Sequence, residues 1–367
     1  MSGSLPDDTE VLIIGGGLTG LTCAVLLHEA GHSVIVVEAA DRLGGRAHSL
    51  RNPVSNVYLA DLGPTWIWPE AQPFAAHWLQ ALGLGLTPQF DTGDTIVDMA
   101  THGSPTRHRL PGMDGSYRVD GGTTAIVERL AKRLPGSAIR TGTRANRIAC
   151  EAETIKVSTD NIALPAIRAR RVIVATPLRV AASAMNWWPA LDSRVTHLME
   201  ATPTWMAAQA KAVAIYDKPF WRSKGLSGRI ASRMGPLIEA HDHSGELGDP
   251  AGLFGFIGWP RQARHINANI LQSAIITQLV RCFGEEARTP DYFHIEDWAE
   301  NIFVCTPTDV TEPPQHPQLA PSLLRKALWG GRVFLAVAEL ATVSPGLIEG
   351  AFHIGSEVAK SVSATLR

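Results

Sequence analysis

The first forty residues contain an apolar run, a glycine-rich turn, a helical pattern and a second apolar run, and this order constrains the fold most strongly. Residues 11–14 read Val-Leu-Ile-Ile and end at a glycine, which is typical of a strand buried on both faces. The turn Gly15-Gly16-Gly17-Leu18-Thr19-Gly20 has the spacing G-x-G-x-x-G, and a helical pattern continues to Gly31. A second apolar strand over residues 33–37 is followed by Glu38. This arrangement predicts a βαβ unit that binds a dinucleotide.

Each glycine of this turn has a physical role in such a unit. Gly15 permits the tight turn, Gly17 lets the backbone approach a pyrophosphate, and Gly20 lets the helix pack closely on the strand. The helix N-terminus offers unpaired N–H groups and the positive end of its dipole to the phosphates. Glu38 can accept hydrogen bonds from a ribose diol, and an acidic residue here disfavours the 2′-phosphate of NADP. NAD and FAD both stay compatible with these residues, and a turn that binds nothing is the alternative.

The next residues favour FAD. Residues 38–46 read Glu-Ala-Ala-Asp-Arg-Leu-Gly-Gly-Arg, which resembles the second fingerprint, E-A-x-x-R-x-G-G-R, of the flavin-containing amine oxidase superfamily, the group of FAD-dependent, monoamine oxidase-like proteins. Two glycines allow close backbone approach, and Arg46 can pair with a phosphate. In that family this segment holds the pyrophosphate and ribityl parts of FAD. The resemblance implies cofactor contacts at Glu38, Ala39, Arg42, Gly44, Gly45 and Arg46.

Further segments resemble motifs of the same family, in the same order along the chain. They are residues 61–67, 120–122, 143–148, 171–177, 211 with 218–222, and 332–339 with 345–351. The resemblance implies additional FAD contacts in these segments, at Gly63, Pro64, Thr65, Trp66, Ala145, Ala175, Glu339, Leu347 and Ile348. Two positions depart from the family pattern. Val337 replaces a glycine, and Leu347 replaces an aromatic residue that forms one wall of a cage in front of the flavin.

The resemblance implies an α/β fold with two interleaved domains. A Rossmann-type FAD-binding domain of the GR2 type would take residues 1–70, 115–185 and 328–367. A smaller α+β substrate-binding domain with a mixed sheet would take residues 71–114 and 186–327. Helices are expected over about residues 123–134 and 267–282.

Lys211 interrupts a strand of small apolar residues, and alternation places it on the same face as Val213 and Ile215. A lysine on an apolar face costs free energy unless its charge is paired or reaches water. It could therefore be an edge-strand lysine that reaches solvent. The resemblance implies instead that Lys211 is the family's catalytic lysine, which holds a water at flavin N5 and promotes reaction with oxygen. The Pro-Phe-Trp sequence at residues 219–221 supports this register.

The implied activity is oxidation of an amine by hydride transfer to flavin N5, with O₂ as the electron acceptor and an imine and hydrogen peroxide as products. Two other functions stay open. A dehydrogenase or desaturase of the same superfamily would not use O₂, and an accessory protein with a decayed site would bind flavin without catalysis, a hypothesis motivated by Val337 and Leu347. The substrate pocket is expected to contain aromatic and apolar side chains, namely Trp66, Trp68, Trp205, Phe256, Trp259 and Leu347.

Two other features predict no chemistry. The sequence His241-Asp242-His243 could suggest a metal site, but the surrounding polar residues favour a solvated loop and no bound metal. Cys305 lies near the region where two members of the superfamily attach FAD to a cysteine, but its offset from Trp298 does not match. We expect Cys305 to be a buried thiol and FAD to be bound noncovalently.

Composition limits the partners of the chain. Lysine plus arginine is 33 and aspartate plus glutamate is 35, and this net charge of −2 argues against a nucleic-acid partner. No apolar run approaches the roughly 18 residues of a membrane helix, and residues 1–10 lack the basic segment of a secretory signal. Four scattered cysteines without a C-x-x-C motif predict a reduced, cytoplasmic protein. We expect a small-molecule amine and O₂ as its partners, no membrane contact, and a monomer or homodimer.

Overall fold

A computed structural model of the chain describes residues 8–99, 103–266 and 268–366. Most of residues 1–10, for which the sequence predicts no secretory signal, and residue 267, where a helix was predicted to begin, lie outside the described residues. Within the described ranges, no helix combines the length and the apolar character that crossing a membrane requires. The architecture is built from two large sheets, two small two-stranded sheets and surrounding helices.

Strands and helices are interspersed along the described part of the chain, often with several strands in succession. In chain order the strands are β1 (Asp8–Ile14), β2 (Val34–Val37), β3 (Ser49–Arg51), β4 (Tyr58–Asp61), β5 (Leu86–Pro88), β6 (Asp94–Asp98), β7 (Thr106–His108), β8 (Tyr117–Val119), β9 (Ile139–Arg140), β10 (Ala145–Cys150), β11 (Ile155–Thr159), β12 (Ala166–Val174), β13 (Asn186–Trp188), β14 (Ala210–Tyr216), β15 (Leu226–Ser232), β16 (Leu237–Asp242), β17 (Ala251–Ile257), β18 (Tyr292–Asp297) and β19 (Val333–Leu335).

The α-helices of the described residues are mostly short, and three of them have twelve or more residues. They are α1 (Leu18–Glu29), α2 (Pro73–Ala81), α3 (Thr123–Ala131), α4 (Leu178–Ala184), α5 (Ser193–Glu200), α6 (Phe220–Ser223), α7 (Arg261–Ile266), α8 (Ala268–Phe283), α9 (Pro307–Thr311) and α10 (Ile348–Ala364). Short 3₁₀ turns occur at Gly136–Ala138, Glu285–Arg288, Trp298–Glu300, Ser322–Arg325 and Ala338–Leu340. The helices predicted over residues 123–134 and 267–282 correspond to α3 and α8.

The first sheet has the order β13-β10-β11-β12-β1-β2-β9, and β19 also pairs with β12. Strands β1, β2, β9 and β19 run parallel to their neighbours, whereas β10, β11 and β12 form antiparallel pairs. Residues 11–14 in β1 are all buried, because helices cover both faces of a parallel sheet. The mixed sheet confirms the predicted α/β class. Strand β13 belongs to this sheet although it begins just past the predicted domain boundary at residue 185.

The second sheet has the order β18-β14-β17-β16-β15-β6-β7, so the two sheets use alternating parts of the chain. Strand β14 pairs with β17 on one side and with β18 on the other. Lys211 therefore lies in an interior strand, and the alternative of an edge-strand lysine that reaches solvent is wrong. Its side chain is only 2% exposed and must find its partners inside the protein.

The prediction of a solvated loop at residues 241–243 is also wrong. His241 and Asp242 end strand β16, and all three side chains are buried. The Asp242 carboxylate accepts hydrogen bonds from the Trp221 indole at 2.8 Å and from two nitrogens of Arg222 at 2.8 and 2.9 Å. This buried carboxylate anchors α6, which carries the Phe-Trp-Arg sequence after Lys211. In the described part of the chain no third ligand joins the two histidines to form a metal site.

Candidate active site

A cavity of about 540 Å³ lies where the glycine-rich turn after β1, the segment after β4 and one face of the second sheet meet. It brings together nearly all residues for which the sequence predicts cofactor contacts. Those that line it are Gly15, Gly17, Leu18, Thr19, Glu38, Ala39, Arg42, Gly44, Gly45, Arg46, Gly63, Pro64, Thr65, Trp66, Ala145, Ala175, Leu347 and Ile348. Gly20 and Glu339 do not line the cavity, and their contributions are indirect.

The glycines of the glycine-rich turn have two different roles: Gly20 allows close packing within the fold, and Gly17 leaves space in the cavity. A Cβ atom on Gly20 would lie 2.0 Å from the carbonyl oxygen of Gly15, so Gly20 permits α1 to pack on the turn. A Cβ atom on Gly17 would meet no heavy atom closer than 3.9 Å. Gly17 is also the N-cap of α1 and makes no side-chain cap, which leaves the helix N-terminus open toward the cavity wall. This arrangement fits a pyrophosphate.

Glu38 is fixed at the cavity wall by two backbone groups. Its Oε2 atom accepts a hydrogen bond from the Gly16 N–H at 2.6 Å, and its Oε1 atom accepts one from the Ala40 N–H at 2.9 Å. Each carboxylate oxygen can accept more than one hydrogen bond, so capacity for a ribose hydroxyl remains. The carboxylate is thus oriented before any ligand arrives.

Glu339 contacts two residues of the cavity wall, Arg46 and Trp205. The two side chains form a bidentate ion pair, with Nη1–Oε1 at 2.7 Å and Nη2–Oε2 at 3.1 Å, and the Trp205 N–H donates to the same carboxylate at 3.0 Å. The predicted direct contact of Glu339 with FAD is therefore corrected, because its acceptor atoms face the guanidinium. Arg46 is held as an oriented positive group on the cavity wall. Together with the glycine turn it fits the phosphates of FAD.

Lys211 extends from β14 to the cavity and contacts the segment after β4. Its Nζ atom donates to the Gly63 carbonyl at 3.1 Å and to the Thr65 hydroxyl at 2.6 Å, and it lies 4.0 Å from the centre of the Phe254 ring. Burial lowers the pKa of Lys211 to about 7, because the charged form loses its hydration, while the negative charge of Asp61 opposes this effect. Lys211 can therefore exist as ammonium or as amine near neutral pH.

This pKa predicts a pH-dependent stability difference between the wild-type protein and a Lys211→Met variant. In the unfolded chain the lysine keeps its proton up to about pH 10.5, but in the folded chain it releases the proton near pH 7. The unfolded state then binds more protons across this window, so the wild type gains about 1.4 kcal/mol per pH unit relative to the variant. Urea unfolding at a series of pH values measures the difference. The exposed Lys218→Met variant is the control and should show no such slope.

Five of the six predicted pocket residues line the cavity: Trp66, Trp68, Trp205, Phe256 and Leu347. Trp259 does not. Strand β17 ends at Ile257, and Trp259 lies in the turn before α7, where it packs against the core of the second sheet. Its placement in the pocket is corrected for this reason. The strand alternation that located Phe256 does not extend past the strand end.

Several side chains of the cavity wall are not predicted from the sequence. Trp298, Phe303 and His316 line it, and Trp298 donates its indole N–H to the Leu62 carbonyl at 3.0 Å. Trp298 directly follows β18, the neighbour of the Lys211 strand, and this proximity could have identified it. His316 lies in an exposed proline-rich segment and contacts the Trp205 ring at 4.7 Å, which places it toward the solvent side of the cavity.

Cys305 packs in a small apolar cluster with Ala207, Trp298 and Val304. Burial raises the pKa of its thiol to about 12, so the reactive thiolate is disfavoured. None of the four cysteines, all of them within the described ranges, lines the cavity. This arrangement agrees with noncovalent binding of the cofactor.

Comparison with known proteins gives a consistent result. A sequence profile described as "Flavin containing amine oxidoreductase" matches residues 18–106 and 99–363. A probable flavin-containing monoamine oxidase A of Dictyostelium discoideum is 22% identical over 468 aligned positions, covering 97% of this chain and 98% of the relative. A flavin-containing amine oxidase B of Cavia porcellus is 23% identical, covering 96% of this chain and 86% of the relative.

Solved structures with similar folds include two amine oxidases. A wild-type putrescine oxidase bound to putrescine superposes with a TM-score of 0.80 at 20% identity, covering 97% of this chain and 99% of the other. The cyclohexylamine oxidase from Brevibacterium oxydans IH-35A superposes with a TM-score of 0.81 at 20% identity, covering 98% and 99% of the two chains. At this identity the superpositions show the shared fold.

Proposed function

The chain belongs to the family of flavin-containing amine oxidoreductases and is an FAD-dependent amine oxidase, and from this premise we propose that it oxidises apolar monoamines with O₂ as the electron acceptor. The proposed net reaction converts an amine and O₂ into an imine and hydrogen peroxide, and water then hydrolyses the imine. The observation that carries the proposal is the buried Lys211 side chain at the wall of an aromatic cavity.

The bound FAD would supply the two-electron chemistry, accepting a hydride from the carbon next to the amine nitrogen and passing the electrons to oxygen. The protein's own side chains prepare this step. Trp66, Phe256 and Leu347 exclude water, and a desolvated wall favours the neutral amine that can react. The Lys211 Nζ atom is held in place by its hydrogen bonds to Gly63 and Thr65. In its ammonium form it can stabilise the negative charge that develops on reduced oxygen.

The charges of the cavity wall favour a monoamine over a diamine. Among the described residues that line the cavity, Glu38 is the one carboxylate, and both of its oxygens already accept backbone N–H groups. Arg42, Arg46 and Arg144 are positive, and Lys211 adds a positive charge in its ammonium form. A second ammonium group on the substrate would be buried without a counter-charge, which is costly.

We therefore expect butylamine to be oxidised with a kcat/KM about a hundredfold or more above that of putrescine, since an unpaired buried charge costs several kcal/mol. The two amines share a four-carbon chain and differ in whether it ends in a methyl group or a second ammonium. Peroxide formation, measured with a coupled peroxidase, gives both constants. Equal constants, or a preference for putrescine, would contradict the monoamine proposal.

We also propose that the first sheet belongs to the FAD-binding domain and the second sheet to the substrate-binding domain. The first sheet carries the glycine turn and Glu38, so the FAD-binding domain is proposed to take residues 1–70, 115–185 and 328–367, with β13 added to it. The second sheet carries Lys211 and Phe256, so the substrate-binding domain is proposed to take residues 71–114 and most of 186–327. The active site then lies between the two sheets.

A further inference from the structure

A second buried ionisable group, the Asp61 carboxyl group, lies next to the segment that binds Lys211, and the proposed reaction does not use it. Asp61 is the last residue of β4, two residues before the Gly63 carbonyl that accepts from Lys211. Its side chain is 0% exposed. Among the described residues, no lysine or arginine nitrogen lies within 4 Å of the Asp61 carboxylate. The one basic side chain within that distance is His243, whose Nε2 atom lies 3.9 Å from Asp61 Oδ2.

The Asp61 carboxylate is held by neutral donors. Its Oδ1 atom accepts from the Ser49 hydroxyl at 2.8 Å, from the Thr123 N–H at 2.8 Å and from the Thr123 hydroxyl at 3.0 Å. Its Oδ2 atom accepts from the Tyr58 hydroxyl at 3.0 Å. These hydrogen bonds fix the position of the carboxylate, and those from Ser49 and Thr123 favour its charged form, but none of the donors carries a positive charge. Burial raises the pKa of Asp61, and the attraction of Lys211 is the largest of the effects that oppose this rise.

We propose that Asp61 is a positioning residue that sets the charge of Lys211, so that the lysine can hold its proton inside the cavity wall. Two opposite charges in a low-dielectric interior stabilise each other, and the removal of one leaves the other uncompensated. Asp61 acts through this electrostatic attraction and without touching the substrate. The inference extends the proposed function, but it concerns the charge of Lys211 and stands whichever amine is oxidised.

Tyr58 and His243 allow the site to accept either charge state. The Asp61 backbone N–H donates to His243 Nε2 at 3.1 Å, so this nitrogen is the acceptor and the ring proton lies on Nδ1. Burial lowers the pKa of His243 well below its ordinary value, so the ring is neutral. The Tyr58 oxygen lies 2.7 Å from the same Nε2 atom and 3.0 Å from Asp61. When Asp61 takes up a proton, the Tyr58 hydroxyl can turn to His243 Nε2 and keep an acceptor, although the buried His243 Nδ1 atom has no hydrogen-bond partner.

Other charged groups around Lys211 act against the ammonium form or are already paired. Arg118, whose guanidinium donates to the Ser244 carbonyl, lowers the pKa of Lys211. Glu296 lies opposite Lys211 in β18 and is paired with His294 at 3.3 Å. In β16, Glu239 is paired with His241 at 2.7 Å. Asp61 is thus the buried carboxylate whose charge is free to act on Lys211.

The test measures the titration of Lys211 directly in the holoenzyme. The chain has seven lysines, so selective ¹³C labelling of lysine gives few ε-carbon signals, and the signal absent from Lys211→Met identifies Lys211. The wild-type signal should titrate near pH 7. Asp61→Asn keeps the side-chain shape and should lower this midpoint by about one pH unit or more, a tenfold change in the acid constant. An unchanged midpoint in the folded variant would overturn the proposal.

A matched control separates this effect from general destabilisation. Asp98 is a buried aspartate at the end of β6, remote in sequence from Asp61, and Asp98→Asn should leave the Lys211 midpoint in place. A shift in Asp98→Asn as large as that in Asp61→Asn would count against the proposal. If Asp61→Asn does not fold, the reciprocal measurement applies, because coupling between two sites acts in both directions. In Lys211→Met, the infrared carbonyl band of a protonated buried carboxyl group should persist to higher pH than in the wild type, and an identical pH dependence would overturn the proposal.

Discussion

Replacement of Lys211 by methionine is expected to slow reoxidation of the flavin by O₂ about a hundredfold or more, while flavin reduction by an amine changes only about threefold or less. Methionine preserves most of the volume and removes the charge, so the cavity wall keeps its shape. Reoxidation is affected more than reduction because the ammonium stabilises negative charge on reduced oxygen, whereas the amine substrate reacts in its neutral form. Stopped-flow absorbance of the flavin measures reduction without oxygen and reoxidation separately.

This experiment also distinguishes the three functions that the sequence left open. A dehydrogenase or desaturase would be reduced by its substrate but would reoxidise slowly in the wild type as well as in the variant. An accessory protein would show no reduction by any amine. The Lys218→Met variant serves as the control, because Lys218 is exposed and does not line the cavity. Equal reoxidation in the wild type and in Lys211→Met would remove the main residue-level support for an oxidase.

Gly17→Ala is expected to weaken FAD binding about tenfold or more, yet to change the free energy of unfolding of the apoprotein by only about 0.5 kcal/mol or less. The backbone of Gly17 is extended, with φ at −74°, so alanine fits its conformation. Its Cβ atom would meet no protein atom closer than 3.9 Å, but it would occupy the cavity next to the helix N-terminus. The substitution should therefore lower the affinity for FAD and leave the stability of the apoprotein nearly unchanged. Fluorescence titration of the apoprotein with FAD measures the affinity.

Two other glycines provide controls for this result. Gly136→Ala should change neither FAD affinity nor stability, since a Cβ atom there would meet nothing within 4 Å. Gly20→Ala should destabilise the fold itself, because its Cβ atom would lie 2.0 Å from the Gly15 carbonyl oxygen. Unchanged FAD affinity in Gly17→Ala would mean that the cofactor phosphates do not approach this turn.

The parts of the fold that the sequence predicts are those specified by neighbouring residues. The strand, turn and helix at residues 11–29 form one local unit, and their pattern fixes both the fold and the cavity wall. The position of Lys211 is also predictable, because strand alternation extends over the whole of β14. Trp259 was misplaced for the opposite reason, since no periodicity continues beyond the end of β17.

The parts that could not be predicted depend on partners distant in the chain. Residues 241–243 look like a polar loop, because the partners that make their burial possible, Arg222 and Tyr58, lie about 20 and 185 positions away. Glu339 resembles a cofactor ligand until the structure shows its carboxylate facing Arg46, a residue 293 positions earlier. A single sequence contains each of these polar residues but not the pairing that satisfies them.

The ion pair of Glu339 with Arg46 has a consequence for how the holoenzyme is made. The same carboxylate also accepts from Trp205, so it connects segments from the beginning, the middle and the end of the chain. Strand β19 and helix α10, which complete the first sheet and cover α1, likewise come from residues 333–364. These residues are translated long after the glycine turn. We therefore expect FAD to be captured only after residues 333–364 have been translated, because a nascent chain with only the glycine turn does not yet contain the binding site.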